Sequence, residues 1–576
     1  MSLRALVFSL FFVAFASKAG AAAGDLDATF DLRFDGPTTG VAQMADGIVV
    51  IGGLFDNVEM VPRGNIVRVD PEGTLDGTVL PATNGNSNCI TVMEDGGIVL
   101  GGSFNTVGGF TRRRLVRLTA AGGVDATFNP NLNDGVYSAA IQGDGKLIVV
   151  GAFTTAGGST RNRALRLNGD GSLDSFNPNA NDFVRSVAVL PDGRVMLGGN
   201  FTSMGGMARQ HLARLTPAGT LDPAFTAPVN GNVYCVALQP DGRMLIGGNF
   251  TNAGGALHTN IARLDASGIP DPGFTTSINN IVRSISLQVD GKMVVSGNFT
   301  EVNDDPCGGL VRLNADGTID PTFRTTGTNG LVNGISLDSR GQITAVGDFT
   351  ASGSTPRSNL ARFENEPAFQ ALTIRGNDRV VWKRTGTSPE TQRVTYELSA
   401  GNGMWTPLGT GTRISDGWEL PGLNLAEGAI VRARARVVCG IYNGCSSLME
   451  ATTLSSRENW RLIHFDSAVN GGDAEDTADP DKDGLVNLVE FAFGLNPLVP
   501  DGTQLPEWER ADGELALHFV QPPGVNGVEY FAQYNTSLEP GGWLPLPNTT
   551  GNREFTFHAP SDSPARIFLR FGVRLP

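Results

Sequence analysis

Val184 to Phe225 reads VRSVAVLPDGRVMLGGNFTSMGGMARQHLARLTPAGTLDPAF. The spacing of Val184, Val187 and Val189 predicts a strand with one apolar side. Pro191-Asp192-Gly193 predicts a tight turn, because Gly supplies the positive φ that a short hairpin needs. Arg194 to Gly198 predicts a second strand, with Val195 and Leu197 inward, ended by Gly199-Asn200-Phe201-Thr202. Gly205-Gly206 marks a loop. His211 to Leu215 predicts a third strand, Pro217-Ala218-Gly219 a turn, and Leu221-Asp222-Pro223-Ala224-Phe225 a short fourth element. Four strands in about 49 residues is the size of a propeller blade.

The stretch recurs. Its turn glycine returns as Gly47, Gly96, Gly145, Gly193, Gly242, Gly291 and Gly341, at steps of 49, 49, 48, 49, 49 and 50 residues. Phe55, Phe104, Phe153, Phe201, Phe250, Phe299 and Phe349 follow the same series. So do Arg68, Arg117, Arg166, Arg214, Arg263, Arg312 and Arg362. Three markers in one register predict a seven-bladed β-propeller over residues 24–365. The fourth element recurs at Leu75-Asp76, Val124-Asp125, Leu173-Asp174, Leu221-Asp222, Pro270-Asp271 and Ile319-Asp320, but is missing after Arg362. Leu26-Asp27-Ala28-Thr29-Phe30 supplies one ahead of the first copy. Residues 26–30 are therefore expected to complete the seventh blade and remove the open edge of a linear array.

The repeat, D-G-K-h-h-h-G-G-x-F-T…G-G…R…A-R-L-x-x-D-G-T-L-D-x-x-F, resembles the bacterial delta-60 repeat. Asp144-Gly145-Lys146 to Phe153-Thr154 and Asp316-Gly317-Thr318-Ile319-Asp320 to Phe323 carry it well. The first copy departs after Asp76, and the seventh has Arg340 where the others have Asp. The resemblance implies a propeller in exported bacterial surface proteins. It implies no reaction and no active-site residues.

The composition agrees with many short strands. There are 75 Gly, 18% charged residues and 7% aromatics in 576 residues, too long a chain for one core. A net charge of −15 argues against nucleic acid or an anionic membrane surface as partner. Residues 1–21 read as a signal peptide: Arg4, an apolar run from Ala5 to Ala16, and small-residue cleavage candidates at Ala19-Gly20-Ala21 and Ala21-Ala22-Ala23. That run is short for a ~30 Å hydrocarbon core, so the mature chain is expected without a transmembrane segment, extracellular or at the cell surface. Cys439 and Cys445 flank a hairpin-like Gly-Ile-Tyr-Asn-Gly, a spacing that allows a disulfide in an oxidising compartment. Cys89 and Cys235 share one repeat position and read as small buried residues.

The repeated Arg reads as a tie to the Asp of the fourth element, or as a ring of cations for a ligand. A role required in every blade favours the tie. Function belongs where the copies differ, and the departures seen are Asp304-Asp305-Pro306-Cys307 in the sixth copy and His211 and His258 near third strands. Neither carries metal or acid–base spacing.

Residues 366–452 read as an immunoglobulin- or fibronectin-III-like β-sandwich, with strands at Val380–Trp382, Val394–Leu398, Gly403–Trp405 and Ile430–Val438. Arg432, Arg434 and Arg436 alternate with Val431, Ala433 and Ala435, giving one basic and one apolar face. Residues 455–500 hold the sharpest chemical motif. Asp479, Asp481 and Asp483 stand at EF-hand positions one, three and five, Gly484 at six, Leu485 at seven through its carbonyl, Asn487 at nine and Glu490 at twelve. That spacing surrounds calcium with hard oxygens. It resembles single dockerin or thrombospondin-type calcium loops, without the second loop of a dockerin. A short helix is expected to end at Gly494, and Ser455-Ser456-Arg457-Glu458 reads as a capping box for an earlier helix. Residues 503–576 read as a small β module with four strands. The chain as a whole reads as a secreted or surface-held, non-catalytic binding scaffold for a glycan or a surface protein, with a structural calcium site. The alternative is a propeller-based polysaccharide hydrolase or lyase, which needs carboxylates or a His–Tyr set converging on the channel.

Overall fold

The computed structural model describes residues 21–576 other than 326, 402–403, 427–428, 454–455, 466–469, 501–504, 512–513, 523–524, 526–527, 537–541, 551–552, 561–566 and 576. The signal peptide read at 1–21 thus lies, but for its last residue, outside the described residues, as does Ser455 of the capping box.

The chain is mainly β and is built of propeller-type repeats. Each repeat becomes one antiparallel unit of three strands. The unit quoted above holds Val184–Val189, Val195–Gly199 and Leu212–Leu215, in that spatial order. Its turn glycine has φ +83°, and the equivalent glycines of the other six units lie between +81° and +89°. The fourth element, read as a strand, is a single bridging residue. Leu221 bridges Leu215, as Leu75 bridges Val69 and Ile319 bridges Leu313. In the last unit the bridging residue is Leu26, opposite Phe363. The Gly-Gly loop between second and third strands holds a minimal hairpin, Ser203–Met204 with Met207–Ala208.

The first strands line an axis. Each lies beside the first strand of the next unit, and Leu331–Leu337 of the last lies beside Thr38–Gln43 of the first. The apolar cores form between neighbouring units. One joins Val187, Val195 and Phe201 to Ile148 and Val150 of the preceding unit, and another joins Val346 and Leu360 of the last unit to Val41, Ile51 and Phe30 near the chain start. The repeated Phe is at most 3% exposed in all seven units. Burial of such a side chain contributes about 2–3 kcal/mol, which is why it recurs.

The repeated arginine is the tie. Arg68–Asp76, Arg117–Asp125, Arg166–Asp174, Arg214–Asp222, Arg263–Asp271 and Arg312–Asp320 pair at 2.7–2.9 Å. Arg362 pairs with Asp27 at 2.7 Å across the two ends of the repeat array. Each of these guanidiniums from Arg117 onward also lies over the Phe of the fourth element, 4.0–5.2 Å from the ring centroid. It then donates to the next unit, as Arg166 does to the Pro217 carbonyl at 2.8 Å and Arg362 to that of Pro71 at 2.6 Å. One side chain thus serves strand, ring and neighbour, and no ligand is needed to explain its recurrence.

Every first strand also carries a bulge. Val136 opposes Gly151 and Ser138 opposes Val150, so Tyr137 has no partner. Thr39, Asn88, Arg185, Tyr234, Arg283 and Asn333 are bulged in the same way. The glycine opposite makes room for it: a Cβ on Gly151 would stand 2.1 Å from the Gly135 carbonyl oxygen.

Beyond residue 366 two sheets face one another. One orders Ala368–Arg375, Arg379–Gly386, Gly417–Pro421 and Thr412–Ile414. The other orders Cys445–Thr452, Val431–Cys439, Val394–Gly401 and Met404–Thr410. Trp382 and Tyr396 are fully buried between them, and the Tyr396 hydroxyl donates to the Trp418 carbonyl at 2.9 Å. Val431, Ala433, Ala435 and Val437 point into this core. The last segment packs as one body: helix α1 (Ser456–Phe465), helix α2 (Asn487–Phe493) and two three-stranded sheets. Phe493 of α2 meets Phe519, Tyr530 and Phe571 edge-on, and the Tyr530 hydroxyl donates to the Ala492 carbonyl. The helix after the calcium motif is therefore part of the core of the C-terminal module. No helix among the described residues is long and apolar enough to cross a membrane.

Candidate functional site

The acidic motif folds into a loop ahead of α2. Lys482 and Gly484 take positive φ, +64° and +95°, which turns the chain back on itself. The Asp479 carboxylate accepts from the Gly484 amide at 3.1 Å, Asp481 from Asp483 at 3.2 Å, and Asp483 from Leu485 at 2.9 Å. This brings one oxygen from each of Asp479, Asp481 and Asp483 within 4.8 Å of the others. Glu490 is not in that group; it is fully buried on α2. Asn487, 1% exposed, donates its amide to the carbonyls of Asp473 and Glu475 at 2.7 Å each. Its Oδ1, with Asp479 Oδ1 and Asp481 Oδ2, is buried without a hydrogen-bond partner. Desolvation, with repulsion from the carboxylates of Asp483 and Asp479, pushes the Asp481 carboxyl above its usual range. Buried, mutually repelling oxygens with unused lone pairs are the donor set of a hard cation. The residues present therefore fit calcium.

The other candidates do not assemble. His211 hydrogen-bonds the Gly199 carbonyl at 3.2 Å, and burial lowers the pKa of both His211 and His258. Among the described residues neither joins a metal-competent group. Asp305–Pro306 is half of the exposed minimal hairpin of its unit. Burial pushes the Cys89 thiol up to about 12 and that of Cys235 higher still, as inert buried thiols require. The Arg432–Arg436 face is neither solvated nor free. Arg432 pairs with Glu397, Arg434 with Glu450 at 2.8 Å, and Arg436 with Glu94 at 3.7 Å.

What the repeat could not announce is the occupant of the axis. The hairpin of Val431–Cys439 and Cys445–Thr452 runs into the ring, its tip Gly440–Gly444 between the first strands. The Gly440 amide donates to the Ile335 carbonyl at 2.8 Å, and Ala139 to that of Gly444 at 3.3 Å. The Gln43 amide donates to Ser447 Oγ at 2.9 Å, and Cys89 Sγ to the Gly444 carbonyl at 2.9 Å. Asn443 Oδ1 accepts from Ser284 Oγ at 2.8 Å and the Ile285 amide at 3.0 Å, while Nδ2 donates to the carbonyls of Ile285 at 2.8 Å and Val236 at 3.3 Å. The inner strands are small where the hairpin sits: a Cβ on Gly334 would meet the Ile441 nitrogen at 2.4 Å. Cys439 and Cys445 stand opposite one another in the hairpin as free thiols. The sandwich also pairs with the sixth unit through Val289 N to Ser388 O and Glu390 N to Leu287 O, both 2.8 Å. Between it and the turns of units two to four lies a cleft of about 1080 Å³, lined by Glu94, Gln142, Asp144, Arg393, Arg434 and Arg436 among others.

Residues 45–78, 94–128, 142–176, 190–225, 239–274 and 288–323 match the family model described as "Domain of unknown function (DUF5122) beta-propeller". No curated protein matches the chain. Among solved structures, a streptogramin B lyase is similar at 15% identity and TM-score 0.36, over 59% of this chain and 99% of its own. A putative exported protein from Bacteroides fragilis is similar at 10% identity and TM-score 0.27, over 60% of this chain and 97% of its own. The family matches fall on six of the seven units described above, which are β-propeller-type repeats.

Proposed function

We propose that this is a secreted or cell-surface binding scaffold. A seven-bladed propeller, closed by residues 26–30 and filled by a hairpin of an immunoglobulin-like sandwich, holds its loops rigid for an extracellular glycan or surface protein. The observation that carries this reading is the seated hairpin. It joins first strands from several units by backbone and buried side-chain bonds, so ring and sandwich act as one body. Such a body suits presentation of a fixed surface. The delta-60-like repeat supports the extracellular placement. Glycan-array and pull-down screens with the full chain test it. Robust turnover of a polysaccharide, lost on changing residues at the mouth of the ring, would overturn it in favour of a hydrolase or lyase.

Asp479, Asp481, Asp483, the Leu485 carbonyl, Asn487 and Glu490 would hold a structural calcium ion. Calcium would neutralise the three converging carboxylates and hold the loop against α2, and so stiffen the C-terminal module. Calorimetry at millimolar Ca²⁺ is expected to detect one site, in the range of extracellular modules. At a hundredfold excess over Kd the ion would stabilise the folded module by about 2.7 kcal/mol. Asp481→Asn is expected to weaken binding on the order of tenfold. No heat and no thermal shift with calcium would remove this assignment.

A further inference from the structure

The bulged ring position is where the repeats differ in chemistry while agreeing in geometry. Four consecutive units place Tyr137, Arg185, Tyr234 and Arg283 there. All four are half-buried. They stand at the start of the first strands, whereas the sandwich covers the turns at the opposite end, where Gln392 reaches the Leu238 carbonyl at 2.7 Å. Their side chains gather around the hairpin tip. The Tyr442 ring is 6.1 Å from that of Tyr137 and 5.7 Å from that of Tyr234. The Arg185 guanidinium lies 4.5 Å from the Tyr137 centroid and 5.5 Å from that of Tyr442. The Arg283 guanidinium lies 5.2 Å from Tyr234 and 5.4 Å from Tyr442, and donates to the Tyr442 hydroxyl at 2.6 Å.

The cations of this cluster differ from the repeated ones. Each repeated arginine has its Asp, but among the described residues neither Arg185 nor Arg283 forms an ion pair. Arg185 Nε donates to the amide oxygen of Asn200 at 3.1 Å, and Arg283 Nε is buried without a partner. The acids of the adjoining loops, Asp134 and Asp182, are each held by a turn amide, of Gly135 and Phe183, at 2.7 Å. Two guanidiniums held against aromatic faces, with donors unspent, are prepared for a carboxylate. The tyrosines between them offer flat apolar faces with a polar rim, and the spacing repeats from unit to unit. A polymer that alternates rings and charges matches that arrangement better than a peptide does.

We propose that this mouth, floored by Tyr442, binds an acidic polysaccharide: a uronic acid carboxylate at Arg185 and Arg283, with sugar rings against Tyr137 and Tyr234. The proposal rests on the binding role above and gives it a place and a ligand class. The full chain is titrated calorimetrically with polygalacturonate oligomers, neutral cello-oligomers and polyglutamate. Polygalacturonate is expected to bind, more weakly as salt rises. Arg185→Gln and Arg283→Gln should each lose on the order of tenfold or more in affinity. Arg185→Gln is the decisive variant, because Arg283 also bonds the hairpin, and its thermal midpoint should match that of the native chain. Equal binding of polyglutamate would overturn the assignment in favour of an acidic peptide. Binding of neutral oligomers alone, or polygalacturonate binding unchanged in Arg185→Gln, would overturn this site while leaving the binding role standing. No binding of any glycan or protein in the array and pull-down screens would remove both.

Discussion

Asn443→Leu is expected to lower the stability of the chain by on the order of 3–5 kcal/mol and to loosen the sandwich from the ring. The side chain is 2% exposed and makes four hydrogen bonds to strands of two units. Leucine has similar volume but would leave the Ile285 amide, two carbonyls and the Ser284 hydroxyl in the axis without partners. Each such group costs about 1–3 kcal/mol, partly recovered if water enters as the hairpin withdraws. Urea titration should show an earlier midpoint, and limited proteolysis should cut the Gly440–Gly444 tip. Gly334→Val should produce the same proteolytic pattern by steric exclusion, since its first side-chain carbon alone would meet the Ile441 nitrogen at 2.4 Å. A native midpoint with a resistant tip in both variants would mean that the hairpin does not fill the axis.

The second large effect is at the closure. Asp27→Ala would strand the Arg362 guanidinium, whose side chain is 8% exposed, in the unit whose bridging residue, Leu26, comes from the other end of the array. Breaking one side of a buried pair costs about 3–5 kcal/mol. Here the loss also frees the segment that pairs through Asp27 N to Arg362 O and Glu364 N to Asp25 O, both 2.8 Å. Asp174→Ala removes the same kind of pair within a continuous unit and is expected to cost less. The pair also sets an acid dependence. Burial works to raise the Asp27 pKa, but hydrogen bonds from Thr29 and Arg362 outweigh it and hold it at about 2, against 3.8 for an ordinary Asp. A lowered folded pKa means that the stabilisation is complete above about 4 and is lost as pH falls from there through 2. It amounts to about 2 kcal/mol. Asp125, also held at about 2, adds in the same direction. Stability measured between pH 5 and 2 should fall more steeply in the native chain than in Asp27→Ala. Parallel curves would show that this pair does not close the ring.

Much of the molecule is legible in order along the chain because its determinants are local. A turn glycine, an apolar run and an Arg eight residues ahead of its Asp lie within one repeat, and repetition in one register multiplies the signal. The calcium-type loop is legible for the same reason, since three carboxylates at alternate positions must converge once Gly484 turns the chain. The bulged positions are not legible along the chain because they are defined by variation: only the ladder, with a glycine opposite, marks Tyr137, Arg185, Tyr234 and Arg283 as equivalents. Gly-Ile-Tyr-Asn-Gly between two cysteines reads as a hairpin and nothing more. Its partners, Ser284 to Asn443 and Cys89 to Gly444 among them, are 159 and 355 residues distant.

By itself, then, the sequence determined the repeating unit, the residues that stitch one unit to the next, and an acidic loop in which three carboxylates converge. These rest on hydrogen bonds, turns and apolar alternation between residues near in the chain. Tertiary structure alone decided what fills the axis and which side chains meet around the hairpin tip. Both depend on a ring bringing seven strands, distant in sequence, around a hairpin from another domain, and no local preference encodes that meeting.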